Sequence, residues 1–183
     1  MKSREIIVNN DGNKGFSLIE LLVVIAIMGI LIGVSFATLG LIQAGNMTNV
    51  TKSIATGIQE TRQKTMTQNL SYGWSFSVNT DADGRVSMTV TKKAAASETP
   101  VNTVTELKKC NLYYTENTGA ERQITDFVMT FDASTGAIRS FEYTISGGGT
   151  ATQTSGTGTI RAEHGNKESE LVIFFATGKY EVK

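Results

Sequence analysis

Several residue types that build common functional sites are scarce in this chain. Its 183 residues include one cysteine, Cys110, one histidine, His164, and one proline, Pro100. A single cysteine excludes an intrachain disulfide framework and a cysteine-rich zinc site. A cysteine nucleophile needs a neighbouring base, and nothing in the sequence places His164 beside Cys110. We therefore expect a protein that is not an enzyme and that uses no cofactor.

An excess of charge of either sign is also missing. The chain has 17 Lys and Arg residues and 17 Asp and Glu residues, which gives a formal net charge of zero. The overall balance therefore does not favour nonspecific attraction to nucleic acid phosphates. Local basic pairs occur at 92–93 and 108–109, but charged side chains on solvated strands explain them equally well. We expect weak or no binding to nucleic acid.

What the chain does contain is one long apolar run. Residues 21–42 include no charged side chain. At about 1.5 Å per residue, a helix of roughly 20 residues crosses the hydrocarbon layer of a bilayer. A single span must be helical, because unpaired backbone groups in lipid cost several kcal/mol each. The run predicts a membrane anchor, and the remaining length suffices for one compact domain.

The junction before this run has a specific pattern. A polar segment with three basic residues leads into Gly15-Phe16, followed by an isolated Glu20 within apolar residues. This stretch, roughly residues 14–33, resembles the class III leader junction of type IV prepilins and type II secretion pseudopilins. The resemblance implies that a membrane-embedded peptidase cuts between Gly15 and Phe16 and methylates the new terminus at Phe16. The missing side chain of Gly15 would let the backbone enter a narrow cleft, and the basic leader favours retention on the cytoplasmic side.

Glu20 is an unusual residue for an apolar helix. An ionisable group within a membrane helix costs about 2.5 to 3.5 kcal/mol on insertion scales and calls for a partner. The resemblance implies that this partner is the α-amino group freed at Phe16, on the same or a neighbouring subunit, so that assembly depends on cleavage. The alternative is that Glu20 lies at the membrane surface and reaches water.

The predicted apolar helix contains three glycines. Gly29 and Gly33 have the small-xxx-small spacing that supports helix pairing in membranes. Glycine costs about 1 kcal/mol against alanine within a helix, so Gly29, Gly33 and Gly40 could instead mark where the helix loosens in a filament. Many members of the resembling family have a kinking proline nearby, whereas this chain has Ala37.

Beyond residue 45 the apolar period indicates an amphipathic helix. Apolar residues recur at three- and four-residue steps at Met47, Val50, Ile54 and Ile58, and Thr61 and Thr65 continue the stripe. This spacing predicts a helical continuation to residue 70 that packs against a sheet.

After this helix the apolar period changes to two, which predicts a hairpin built on 74–78 and 86–90. Further strands are predicted at 104–114, 124–131, 137–145, 157–162, 171–176 and 179–182. Strands that follow a helix without alternating helices favour an α+β fold, here a long N-terminal hydrophobic helix, in the "lollipop" form of pilins, packed on a C-terminal antiparallel sheet.

Two stretches have the composition of exposed loops. They are 92–102 and 146–158, and the second consists almost entirely of Gly, Ser, Thr and Gln. Such composition buries little apolar surface, so the second stretch is either a contact surface or a passive connection.

The turn at 79–84 has the opening spacing of a calcium loop. Asn79, Asp81 and Asp83 alternate before Gly84, but Val90 stands where the closing bidentate acid belongs. A hairpin turn explains the same residues, so we expect no metal and keep these three only as a weak calcium candidate.

These patterns divide the chain into four segments. They are a leader at 1–15, a transmembrane and filament-core helix at 16–45, an amphipathic continuation at 46–70, and an extracytoplasmic β-rich domain at 71–183. The resemblance implies a structural subunit, a minor pilin or pseudopilin, of a type IV pilus, a type II secretion pseudopilus or a DNA-uptake filament.

The implied location is the cytoplasmic membrane, crossed once with the C-terminal domain outside, and then a cell-surface or periplasmic filament. The implied partners are the prepilin peptidase and methylase, other pilin or pseudopilin subunits, the membrane assembly platform and membrane lipid. The alternative is a single-pass, membrane-anchored extracellular domain that binds a ligand without forming a filament. That alternative predicts an intact leader.

Overall fold

The computed structural model describes residues 18–68, 73–92 and 101–183, and at 31–46 and 101 it describes the backbone alone. Helix α1 runs from Leu18 to Thr67. The chain divides into two compact units, Met1–Gly40 and Leu41–Lys183, so the first part of α1 belongs to one unit and the rest to the other. An N-terminal helix followed by an antiparallel sheet confirms the α+β class.

The second part of α1 is amphipathic, as its sequence predicts. Met47, Val50, Ile54 and Ile58 are buried, and Thr61 and Thr65 continue the buried stripe. The buried threonines meet their hydrogen-bonding needs within the helix: Thr61 donates to the carbonyl of Gly57 at 2.7 Å, and Thr65 to that of Thr61 at 2.8 Å. The opposite face is exposed at Lys52, Gln59, Glu60 and Gln63. The helix ends at Thr67, before the predicted residue 70.

Among the residues that the structure describes, ten strands follow the helix. Their bounds are β1 Trp74–Thr80, β2 Val86–Lys92, β3 Val101–Glu106, β4 Asn111–Glu116, β5 Arg122–Phe131, β6 Ile138–Ile145, β7 Thr150–Gln153, β8 Thr157–His164, β9 Lys167–Phe174 and β10 Lys179–Val182. The main path of the sheet is β10-β9-β8-β4-β5-β1-β2-β3, and every pair in it is antiparallel. Strand β6 pairs with β5 and carries β7 on its other side.

Strand β5 organises the sheet because three strands pair with it. Strands β4 and β1 pair with the same edge of β5, β4 along residues 122–124 and β1 along residues 126–130. The other edge pairs with β6, and the register shifts between Ile124 and Asp126. Such an irregularity bends a strand and lets it serve two neighbours in succession.

The hairpins that the sequence predicts are present. Strands β1 and β2 pair from Trp74 opposite Lys92 to Thr80 opposite Val86, and β9 pairs with β10 from Phe174 opposite Lys179. Their alternating buried side chains face the core, which accounts for the period of two.

Two predicted features are wrong. The single strand expected at 104–114 is two strands, because β3 pairs with β2 whereas β4 pairs with β8 and β5. The loop expected at 146–158 contains β7 and the start of β8, and Gln153 within it is buried. Small polar residues form a strand there because β6 offers an edge with which to pair. Of the other expected loop, residues 93–100 lie outside the described residues.

Aromatic rings fill the centre of the core. Phe141 contacts Tyr114 at 4.5 Å, Phe127 at 4.9 Å and Phe175 at 6.2 Å between ring centroids. Phe76 lies 6.0 Å from Phe127 and faces Gly57 of α1, where an added Cβ would collide with the ring. Helix and sheet therefore approach closely at a glycine.

Candidate assembly segment

The start of α1 carries a series of exposed apolar side chains. All residues from 18 to 30 are exposed, with Leu18 at 82% and Ile30 at 67% of full exposure. The exposed large apolar side chains of this segment are Leu18, Ile19, Leu21, Leu22, Val23, Val24, Ile25, Ile27, Met28 and Ile30. An apolar surface of this extent marks contact with lipid or protein. We call residues 18–30 the assembly segment.

Glu20 lies in the first turn of the described helix and is exposed among these apolar side chains. A carboxylate near a helix N-terminus is favoured by the positive end of the helix dipole. Glu20 therefore places a negative group near the N-terminal end of the described helix. The two other residues of the predicted junction, Gly15 and Phe16, lie outside the described residues.

The three glycines lie within α1. At Gly29 an added Cβ would meet no described atom within 4 Å, so among the described residues this glycine is not required by a close approach. Gly33 and Gly40 lie in the part described by backbone alone. Loosening of the helix at these glycines stays a prediction.

Within the residues described, no helix is long and apolar enough to cross a membrane. The single-pass anchor expected from the sequence therefore stays a prediction.

The weak calcium candidate forms the turn between β1 and β2. Asp81 Oδ1 accepts the backbone N–H groups of Asp83 at 2.9 Å and Arg85 at 2.8 Å, so this carboxylate closes the turn. Asn79 lies in β1, opposite Ser87 of β2. The part of the chain seen in the structure contains no group of three or more His, Cys, Asp or Glu side chains that could hold a metal ion. The geometry therefore favours the hairpin turn.

Cys110 and His164 come closer than the sequence indicates. Asn111 lies opposite Glu163 in the β4–β8 pair, so the cysteine and the histidine occupy the next positions along their chains. However, Cys110 is buried, and desolvation raises the pKa of its thiol to about 11. A thiol that stays protonated at neutral pH is a poor nucleophile. The arrangement gives no support to catalysis by this pair.

The buried side chain of Gln153 connects β7 to β4 and to the loop after β7 through hydrogen bonds, and the sequence does not predict this role. The Tyr114 hydroxyl donates a hydrogen bond to Gln153 Oε1. Gln153 Nε2 in turn donates to the carbonyls of Ser155 at 2.6 Å and Thr157 at 3.1 Å. Burial raises the pKa of Tyr114 above its usual range, so the phenol stays protonated. A lone glutamine in a polar stretch carries no signal of this role.

Residues 10–36 match a family model described as the prokaryotic N-terminal methylation motif. The match spans the predicted leader junction, Glu20 and the assembly segment. It supports the type IV pilin and pseudopilin family and indicates a substrate of prepilin peptidase. No curated protein and no solved structure matches the chain.

Proposed function

We propose that this chain is a structural subunit, a minor pilin or pseudopilin, of a type IV pilus, a type II secretion pseudopilus or a DNA-uptake filament. The observation that carries the proposal is the methylation motif at residues 10–36, which lies over a helix that is apolar and exposed at 18–30. The pilin family is structural, and the assembly segment offers contact surface for membrane lipid and for other subunits.

The first step is processing at the membrane. The leader, residues 1–15, stays on the cytoplasmic side, and the peptidase cuts between Gly15 and Phe16. Cleavage frees an α-amino group at Phe16, which becomes methylated. Methylation leaves the amine basic, so it carries a positive charge close in sequence to Glu20.

The second step is transfer of the helix from lipid into the filament. The cost of Glu20 in a membrane helix is about 2.5 to 3.5 kcal/mol. A carboxylate and an ammonium about 4 Å apart attract each other by about 4 kcal/mol at an effective dielectric constant of 20. The two energies are of similar size, so pairing with the freed amine offsets the cost. Assembly therefore depends on removal of the leader, because only the cleaved chain has this amine.

The proposal is tested on the chain in its native membrane, with and without the peptidase, by mass spectrometry of the N-terminus. We expect a terminal peptide that begins at N-methylated Phe16 only when the peptidase is present. Gly15→Val should abolish this peptide because its side chain blocks the cleft, while Gly12→Val, inside the leader, should leave it. An intact Met1 terminus in both membranes would overturn the proposal and favour the anchored ligand-binding domain.

A second pair of variants separates processing from assembly. Glu20→Gln has nearly the same shape without the charge, so we expect normal cleavage but loss from sheared filament fractions. Glu20→Asp keeps the charge and should assemble better than Glu20→Gln. Equal incorporation of Glu20→Gln and the unaltered chain would show that charge pairing at Glu20 does not drive assembly.

A further inference from the structure

The β-sheet of the 41–183 unit has open edges. Among the strands that the structure describes, β3, β7 and β10 each have a neighbour on one side only. Strand β3 has six residues, whereas β7 and β10 have four each. An open edge presents unpaired backbone N–H and C=O groups that can accept another strand.

Strand β3 lacks three of the features that usually protect such an edge, namely lysine, proline and a β-bulge. Its sequence, Val-Asn-Thr-Val-Thr-Glu, contains no lysine and no proline. Its ladder with β2 runs without a register shift from Ser87 opposite Glu106 to Lys92 opposite Val101. Val104 is 62% exposed, which is high for a β-branched apolar residue in a strand. The edge is regular and open to a further strand.

The two faces of β3 follow from its pairing. Thr103 lies opposite buried Val90 and Thr105 opposite Met88, which packs on the core. Side chains that lie directly opposite share one face of a sheet, so both threonines lie on the face that carries the core, which we call the core side, although both are exposed there. Asn102, Val104 and Glu106 are on the outer side, because strand side chains alternate.

Strand β10 has a complementary pattern at the other end of the path. Tyr180 and Val182 pack against the core, whereas Lys179 and Glu181 are exposed on the outer side. Its described pairing is with β9 alone.

We propose that β3 of one copy pairs antiparallel with β10 of a second copy of this chain, with Glu106 opposite Lys179. In this register the core-side residues of β3 lie opposite the core-side residues of β10. The resulting pairs are Glu106 with Lys179, Thr105 with Tyr180, Val104 with Glu181, and Thr103 with Val182. Opposite charges and pairs of β-branched or aromatic residues stabilise neighbouring strands.

The neighbouring registers that also match the faces are worse. A shift by two residues in one direction places Glu106 opposite Glu181, and like charges directly opposite are destabilising. A shift by two in the other direction places Glu106 opposite Thr177, in the turn before β10. Charge and face together therefore select one register.

The contact joins two different surfaces, so it leaves a free β3 at one end and a free β10 at the other. A contact of this kind extends in a row and does not close as a pair. The inference rests on the proposed function, because a filament in which copies of this chain are neighbours brings β3 of one copy next to β10 of the next. One short strand pair falls below the roughly 1,000 Å² of a stable interface, so the contact is weak until assembly raises the local concentration.

The test is disulfide crosslinking in the full-length chain, in native membranes and in sheared filaments. Opposite residues of antiparallel strands have Cα atoms about 4.5 to 5.5 Å apart, which suits a disulfide. The double variant Glu106→Cys/Lys179→Cys should therefore give a ladder of dimers, trimers and larger species under mild oxidation. Each single variant should give no ladder. The unaltered chain is the background control, since Cys110 is buried.

The register is checked with Asn102→Cys/Lys179→Cys, whose positions lie four residues out of register, about 13 Å apart. We expect no ladder from this pair. The charge is checked by adding Glu106→Lys to Thr103→Cys/Val182→Cys, which should lower crosslinking about two- to five-fold. Restoration by a further Lys179→Glu would support the Glu106–Lys179 pair.

Two results would overturn the inference. A dimer from Val104→Cys alone, with no ladder from Glu106→Cys/Lys179→Cys, would show that β3 pairs with itself. No crosslink from any variant, in samples where the chain begins at methylated Phe16 and is present in filaments, would refute the β3–β10 contact and leave the proposed function standing. The terminus and the filament fraction are therefore measured in the same samples.

Discussion

Tyr114→Phe removes one oxygen atom from the middle of the domain. That hydroxyl donates its hydrogen bond to Gln153 Oε1, and both side chains are buried, with 1% and 3% of their surfaces exposed. The hydroxyl also lies against Gly158, where an added Cβ would collide with it, so it fills the space that this glycine leaves. The substitution leaves a buried acceptor without a donor and a small void.

The expected loss of stability follows from these contacts. A buried acceptor that loses its donor costs about 1 to 3 kcal/mol. The amide of Gln153 still binds the carbonyls of Ser155 and Thr157, so the loop keeps its other two hydrogen bonds. We therefore expect a loss of about 2 kcal/mol in the free energy of unfolding. With a denaturant dependence of about 2 kcal/mol per molar urea, the midpoint should fall by roughly 1 M.

The assay is urea unfolding of the full chain in mild detergent, followed by the fluorescence of its single tryptophan, Trp74. This residue is 9% exposed and its indole lies under Lys64, so unfolding changes its surroundings. Tyr180→Phe is the matched control. Its hydroxyl also donates to a glutamine, Gln59, at 2.6 Å, but on the exposed surface, where water can replace it. We expect the control to stay within about 0.5 kcal/mol of the unaltered chain.

A double variant tests the pair itself. Tyr114→Phe/Gln153→Met should be less destabilised than the sum of the two single variants, because each removes the partner of the other. The reasoning would be refuted if Tyr114→Phe lost no more stability than Tyr180→Phe.

Three further predictions concern other parts of the 41–183 unit. Cys110 should react with a thiol reagent at pH 8 roughly 100-fold more slowly in the folded chain than in urea, because it is buried and its pKa is about 11; equal rates would contradict this. Gly57→Ala should lower the free energy of unfolding by about 1 to 2 kcal/mol, because its methyl group meets the Phe76 ring and the strain exceeds the helix-propensity gain of about 1 kcal/mol. Hydrogen bonds from Ser134 and Thr135 hold the pKa of Asp132 well below its usual range, so its contribution to stability is present above about pH 4 and is lost as the pH falls further. Asp132→Asn should flatten the acid limb of a stability–pH curve, and an unchanged limb would count against this role.

The sequence predicts the elements with strong periodicity. The stripe at Met47, Val50, Ile54 and Ile58 predicts a helix with one buried face, and the alternation around Trp74–Val78 predicts a hairpin; both are confirmed. These patterns are readable because one element alone decides which of its side chains face the core.

The sequence could not predict which strands pair with one another. Leu107 donates its N–H to the Val86 carbonyl and thus still belongs to the β2 edge, whereas Leu112, five residues later, pairs with Ile124. The stretch between them contains no glycine and no proline, and apolar residues continue through it at Leu107, Cys110 and Leu112, so no strong turn former marks the break. Strand β7 was missed for the same reason, since its pairing depends on β6 and its buried residue is a glutamine.

By itself, the sequence determined the methylation motif, the isolated Glu20 in its apolar run, and the order of a helix followed by strands. These are local properties, since a peptidase recognises a contiguous stretch and a hydrophobic period needs only one element. The tertiary structure alone decided that β5 serves three neighbours, that Tyr114 binds Gln153 39 residues away, and that β3 and β10 are left at the edges of the sheet. Those features arise from contacts between residues distant in sequence, and such contacts form only when the strands pair and pack on a common core.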